Sequence, residues 1–274
     1  MDYEKTMEVI KGCGSLQVIA TEGVVFERIH PGPLSFVYRF DYQGEDYVLK
    51  ISDEDSYDNG SKRHIQRELG ILSMLNHPII VSPLEAGEDW AVYKFLPKVK
   101  DNLPKNYNKR IGCVMEISYQ ILDALAYLHE FKQEDELKPI VHLDVKPDNI
   151  LGTDLMAMLI DFGLSYFQGD YPEEMSDLAG TPYYTSPERV NGKGTKVAAD
   201  VWAMGSSVYE LIEKKRIIPI NTTLTVHQRI GSGNYETDLT KAPNKLVKLV
   251  QSMLEREPAN RITAREAVKE LEGI

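Results

Sequence analysis

The chain has little cysteine, no excess of positive charge and no long uninterrupted apolar run. Two cysteines in 274 residues, Cys13 and Cys113, cannot build a disulfide scaffold, and their separation matches no zinc-site spacing. Free thiols in an intracellular chain are therefore expected, with a cytoplasmic location. A formal net charge of −11 argues against a nucleic-acid surface, which would need a basic face. No run reads as long enough to span a bilayer, and Met1-Asp2-Tyr3-Glu4-Lys5 lacks the basic-then-apolar order of a secretory signal. No membrane partner is expected. Internal repeats and low-complexity tracts are also missing. A chain with 42% hydrophobic residues can nevertheless bury a large core in one or two domains.

The most informative stretch is Val141-His142-Leu143-Asp144-Val145-Lys146-Pro147-Asp148-Asn149-Ile150-Leu151, followed by Ile160-Asp161-Phe162-Gly163. These segments supply two carboxylates, a lysine and an amide at spacings that suit phosphoryl transfer. Transfer of a γ-phosphoryl group spreads negative charge over oxygens, so a protein must mainly position groups and neutralise charge. Asp161 on a turn between apolar runs can offer hard oxygen ligands to Mg2+, and the Asn149 amide carbonyl can offer another. Asp144 is then left to orient an acceptor hydroxyl, and Lys146 to hold the moving phosphoryl. Asp and Asn also cap ordinary turns. A lone Asp-Phe-Gly would favour that reading, but both motifs occur in order, each flanked by apolar runs at Ile140-Val141 and Leu159-Ile160.

Together these motifs resemble the catalytic and metal-binding loops of eukaryotic-type protein kinases of the Ser/Thr class. Other segments follow in the family's order. Tyr47-Val48-Leu49-Lys50 matches its small-lobe strand, and Glu68 falls in a helical pattern from Ser61 to Asn76 carried by Ile65, Leu69, Leu72 and Leu75. Gly180 to Glu188 matches the end of the activation segment, Asp200 to Gly205 the start of a buried helix, and Arg261 the partner of Glu188. The resemblance runs from about Val25 to the C-terminus. It implies an α+β, two-lobed kinase fold, with a β-rich N-lobe containing helix C over residues 1–96 and a mainly helical C-lobe over 97–274.

By the same resemblance, the cofactors are ATP and Mg2+ and the partner is a protein substrate; oligomeric state stays open. Asp144 and Lys146 are the catalytic pair. Gly32, Val37, Lys50, Glu68, Asn149 and Asp161 belong to ATP binding, with Asn149 and Asp161 as metal ligands. Trp90 to Leu96 reads as a strand entering the hinge, so Tyr93, Lys94, Phe95 and Leu96 join the nucleotide site, Tyr93 guarding its rear. Asp200 is implied to brace the 142–144 backbone, and Glu188 with Arg261 to form a buried ion pair. A long helix over Ile111 to His129 is expected to lead into the Asp144 loop.

The chain departs from the family in three places. Of the Gly-x-Gly-x-x-Gly loop over the phosphates only Gly32 survives, in His30-Pro31-Gly32-Pro33-Leu34-Ser35-Phe36-Val37. Proline has no N–H and fixes φ, so either nucleotide binding is weak or a preset loop compensates. Leu143 replaces the usual Arg, and Tyr166 stands where another cation is usual. A phosphate on the activation loop would lack those partners, which leaves His64 as the candidate base and Asp177 as a fixed negative charge. Activity independent of activation-loop phosphorylation is expected, with a nucleotide-gated pseudokinase as the alternative and a small-molecule kinase behind it. Finally, the acid is concentrated at 53–58, 130–136 and 170–177, against a basic stretch of Lys94, Lys98, Lys100, Lys105, Lys109 and Arg110. The basic stretch suggests acidic peptide substrates; the acidic activation loop suggests basic ones.

Overall fold

The computed structural model describes residues 24–31, 35–52, 60–172, 175–176, 178–218, 223–235, 237–239 and 241–273. They fall into two compact units, one ending at Leu96 and the other running from Pro97 onward. Gly32, Pro33, Asp177 and the acidic run 53–58 lie outside the described residues.

The first unit is built on an antiparallel sheet in the order β1-β2-β3-β5-β4, with β1 Glu27–Pro31, β2 Phe36–Tyr42, β3 Glu45–Ile51, β4 Glu85–Ala86 and β5 Trp90–Lys94. Period-two alternation in β2 sends Phe36, Tyr38 and Phe40 inward, where they meet Phe26, Leu49, Ile51, Trp90 and Val92. The β2–β3 hairpin turns through Gln43 and Gly44, both at positive φ, the backbone that a two-residue turn needs to match strand twist. Helix Gly60–Leu72 completes the unit and buries Ile65, Ile71 and Leu72.

That helix ends four residues before the sequence pattern does. Beyond Met74 the chain joins the second unit: the Asn76 N–H donates to the Tyr127 hydroxyl at 3.1 Å, the His77 ring lies 5.1 Å from that of Tyr127, and the Leu159 N–H donates to the Ile79 carbonyl at 2.7 Å. Residues 75–80 thus belong with the second unit although they lie within the 1–96 span.

The second unit is organised around helix Tyr107–His129, whose first turn is capped by Asn106 accepting from the Lys109 N–H at 3.1 Å. This helix corrects one expectation. Its 23 residues are long and apolar enough to cross a membrane by length and composition alone. More than half of its apolar window is buried inside the protein, and helices Ala198–Glu213 and Ala264–Glu272 pack against it. It is the central core helix of the unit.

Helix Ala198–Glu213 is buried on nearly every side, with Trp202, Met204 and Tyr209 fully enclosed. Gly205 permits close packing there, because a Cβ would stand 2.9 Å from Met253 Cβ in helix Asn244–Met253. The acidic 130–136 segment folds as a small hairpin, Lys132–Gln133 against Glu136–Leu137, turning through Glu134 and Asp135 at positive φ.

Candidate active site

In the first unit, β2 and β3 pair so that Val37 lies directly opposite Lys50. The Lys50 ammonium forms an ion pair with Glu68 Oε2, and the Tyr93 hydroxyl donates to Glu68 Oε1 at 2.8 Å. Glu68 is 2% exposed, and these partners replace the water it gives up on burial. Tyr93, assigned from sequence to guarding a pocket, also holds the glutamate. Along the expected hinge, exposed Lys94 pairs with Glu45, and the Phe95 N–H donates to the Asp46 carbonyl at 3.0 Å. The Phe95 amide therefore serves the sheet. Leu96, half-buried, ends the unit.

In the second unit, short strands Ile140–Val141 and Tyr166–Phe167 pair, as do Ile150–Gly152 and Ala157–Leu159. The loop after Val141 is pinned from beneath by Asp200: Oδ2 accepts from the His142 N–H and Oδ1 from the Leu143 N–H, both at 2.8 Å. His129 Nε2 lies 3.1 Å from the same carboxylate. With Nε2–H donating to the Ile160 carbonyl at 3.1 Å, the His142 ring leaves Nδ1 to accept from the Asp144 N–H at 3.3 Å, so one tautomer satisfies both contacts. The ring also stands edge-on to Phe162 at 4.7 Å.

This scaffold presents a densely bonded carboxylate. Asp144 Oδ2 accepts from Lys146 Nζ at 2.7 Å and from Asn149 Nδ2 at 3.1 Å. Oδ1 accepts from the Thr181 N–H at 3.0 Å and the Thr181 hydroxyl at 2.8 Å. Four donors match the roughly four lone-pair directions of a carboxylate, so its orientation is fixed. Lys146 Nζ also donates to Thr181 Oγ1 at 2.8 Å. Thr181 lies in the Gly180 to Glu188 segment that the sequence matched to the end of the activation segment, but nothing local in the sequence placed it in this network. Gly180, at φ +99°, is required beside it, since a Cβ would meet the Leu143 carbonyl oxygen at 2.9 Å.

The two expected metal ligands are neighbours through the backbone. The Leu159–Ile150 register continues into an Ile160 N–H donating to the Asn149 carbonyl at 3.1 Å, which brings Asp161 alongside Asn149. Asn149 Nδ2 also donates to the Asp144 carbonyl at 2.8 Å. With its nitrogen committed to Asp144, its Oδ1 is the end able to face a cation. Asp161 adopts a left-handed backbone, φ 69° and ψ 69°, a costly conformation that Asp tolerates better than most residues and that clusters at functional sites. Two hard oxygen donors on adjacent strand ends fit a divalent cation.

The expected structural pair is present as well. Arg261 donates to both Glu188 oxygens, at 2.8 and 2.9 Å, and to the Ala198 and Glu255 carbonyls at 2.7 and 2.9 Å. Burial alone would raise the Glu188 carboxyl, but the guanidinium outweighs it and holds the group below its ordinary range.

One residue before Asp144 the chemistry reverses. Leu143, 6% exposed and at φ +74°, joins Val141 and Tyr166 in an apolar cluster against which Leu164, Tyr171, Met175, Ala179 and Val197 pack. Tyr166 meets Tyr171 edge-on at 4.9 Å. Arg189, buried nearby, donates to the Ala179 carbonyl at 2.6 Å and to Thr195 Oγ1 at 3.1 Å.

Comparison with known proteins gives the family. The family model described as "Protein kinase domain" matches residues 25–271. Similar proteins include the serine/threonine-protein kinase Nek4 of Mus musculus, 29% identical over 243 residues, covering 83% of this chain and 29% of Nek4. The serine/threonine-protein kinase RAD53 of Saccharomyces cerevisiae is 30% identical over 250 residues, covering 82% of this chain and 29% of RAD53. The putative serine/threonine-protein kinase R436 of Acanthamoeba polyphaga mimivirus is 29% identical over 243 residues, covering 82% of this chain and 83% of that protein. The chain thus spans under a third of the mouse and yeast relatives. With a β-sheet unit, a helical unit and a family match over nearly its whole length, the chain belongs to the protein kinase domain family.

Proposed function

We propose that this chain is an active protein kinase that transfers the γ-phosphate of ATP to Ser or Thr hydroxyls of protein substrates, without needing a phosphate on its activation loop. The observation that carries the reading is the Asp144 carboxylate, oriented by Lys146, Asn149 and Thr181. In the reaction, the acceptor oxygen forms a bond to the γ-phosphorus as the bond from that phosphorus to the bridging oxygen breaks. The acceptor hydroxyl displaces that of Thr181 from Asp144 Oδ1, its proton passes to Asp144, and ADP leaves. Lys146 neutralises charge on the transferred group, and Lys50, oriented by Glu68, serves the α- and β-phosphates. Asn149 and Asp161 hold magnesium, which supplies charge neutralisation at the phosphates when bound.

Independence from loop phosphorylation is supported by the cluster around Leu143 and Tyr166. A dianion orders a loop only where cations receive it, and these two positions present apolar surface instead. The pseudokinase reading has the degraded His30–Val37 loop in its favour.

Purified protein incubated with labelled ATP, magnesium and a generic protein substrate separates the readings. Stoichiometric label on Ser or Thr that is lost in Asp144→Asn supports the kinase. Magnesium-dependent ATP binding with no label transferred replaces it with the pseudokinase.

A further inference from the structure

Two lysines of the basic stretch after the hinge converge on one carboxylate, that of Asp148. Lys98 Nζ donates to Asp148 Oδ1 at 2.7 Å, and Lys100 Nζ donates to Oδ1 and Oδ2 of the same carboxylate at 2.9 Å. They are placed there by the backbone. The Gly152 N–H donates to the Pro97 carbonyl at 2.7 Å, Lys98 bridges to Leu151, and helix Val99–Asn102 starts at once.

Asp148 belongs to the turn Pro147–Asn149, between the lysine and the amide that bond Asp144. Three hydrogen bonds from the two ammonium groups to this one carboxylate keep both lysines in place. Two cations against one anion leave a net positive charge, and all three side chains remain between 33% and 43% exposed.

A second group lies on the segment that carries Thr181. The Arg216 guanidinium covers the Tyr183 ring at 3.8 Å and stands 3.7 Å from Glu210, whose Oε2 accepts from the Tyr184 hydroxyl at 2.7 Å. The carboxylates of Asp148 and Glu210 are thus already matched by the protein's own cations.

We infer that Lys98 and Lys100, held on Asp148, form a substrate subsite for an acidic group, a carboxylate or a phosphate, carried by the peptide that is phosphorylated. Asp148 lies four residue steps after Asp144, a span of at most ~14 Å. An extended peptide advances about 3.3 Å per residue. The acidic group therefore falls two to four positions from the acceptor hydroxyl. Part-exposed charge pairs are weak singly, so the subsite ranks substrates and does not gate them.

This inference rests on the kinase reading, and the experiment keeps the two apart. Wild-type protein is assayed on a peptide library with one Ser acceptor and Asp, phosphoserine, Lys or Ala placed at each of four positions on either side. No transfer to any peptide is a failure of the kinase reading itself. Transfer with kcat/KM about five- to tenfold higher for Asp or phosphoserine than for Ala, confined to positions two to four on one side, is the expected result. Transfer indifferent to these residues, or favouring Lys, overturns the subsite. A preference for phosphoserine alone makes the ligand a phosphate, and equal preference makes it any acidic group. In Lys98→Glu/Lys100→Glu the ratio of Asp to Lys peptides should invert, whereas Asp148→Asn, which frees both lysines, should raise it. A purely structural role for the trio would lower rates on all peptides in proportion and leave those ratios unmoved, which would also overturn the inference.

Discussion

Leu143 and Asp144 are adjacent in the chain and face opposite chemistries. Asp144 looks into a network of charged and hydroxyl partners, with every carboxylate direction taken. Leu143 looks into packed Val141 and Tyr166. The same Asp200 carboxylate supports the backbone of both sides. One brace therefore serves a polar site that is proposed to do chemistry and an apolar site that holds the activation segment. The difference teaches that a loop can be anchored by packing where charge would otherwise be needed, and that the two halves should fail in distinguishable ways.

The largest expected effect lies on the polar side. Asp144→Asn should lower kcat by about 10²- to 10⁴-fold, the usual contribution of a positioned base, with ATP affinity unchanged. Asp161→Asn should instead abolish magnesium-dependent ATP binding. Calorimetric titration of both variants with ATP and magnesium checks the division. Equal loss of binding in the two would merge their roles.

A buried ion pair away from both halves comes next. Glu188→Gln leaves the enclosed Arg261 charge without its partner and should cost about 3 to 5 kcal/mol of stability. The Glu188 carboxyl is held below its ordinary range, so the pair's contribution is complete above the unfolded value of about 4.3. It is lost as pH falls through the lower folded value. Urea melts should show a constant gap between wild type and variant at neutral pH, and a gap that closes on acidification. A gap that widened in acid would contradict the assignment.

On the apolar side, Leu143→Ala should cost about 2 to 3 kcal/mol by opening a cavity beside Tyr166. Leu143→Arg should cost more, because it places a charge among apolar neighbours. Equilibrium unfolding decides this. An arginine variant as stable as wild type would mean that the pocket is open to water.

Much of this was legible because the decisive residues lie close together in sequence. Asp144, Lys146 and Asn149 lie within one six-residue stretch, and their mutual hydrogen bonds follow from that spacing. Glu188 and Arg261 could be paired only by resemblance, since nothing local links residues so far apart. The hydrogen bond from Tyr93 to Glu68 was not legible, because it depends on how a strand and a helix pack. The convergence of Lys98 and Lys100 on Asp148 was hidden for the same reason; sequence gave only a basic stretch and a separate acid. Helix Gly60–Leu72 ran short of its pattern because residues 75–80 are claimed by Tyr127 and Leu159, a tertiary choice that periodicity does not record.

The smallest expected effect tests the apolar anchor most directly. Ser176 contributes its carbonyl to the Tyr171 hydroxyl at 2.5 Å and to the Ala179 N–H at 2.7 Å, while its own hydroxyl oxygen accepts from the Leu178 N–H at 3.3 Å. Ser176→Ala keeps both carbonyl bonds and loses only the last, longest one, so its cost should stay within about 0.5 kcal/mol. The activation segment would still be held by Tyr171, Met175 and Ala179 packed on the Leu143 cluster. Thr181 is no better placed to receive an activating phosphate, since its hydroxyl already bonds Asp144 and Lys146, and a dianion there would repel Asp144. Phosphatase-treated protein and Ser176→Ala should therefore both retain most of the wild-type rate in steady-state assays. A large fall after phosphatase, recovered by rephosphorylation of Ser176, Thr181 or Tyr171, would show that packing around Leu143 is not what orders the segment.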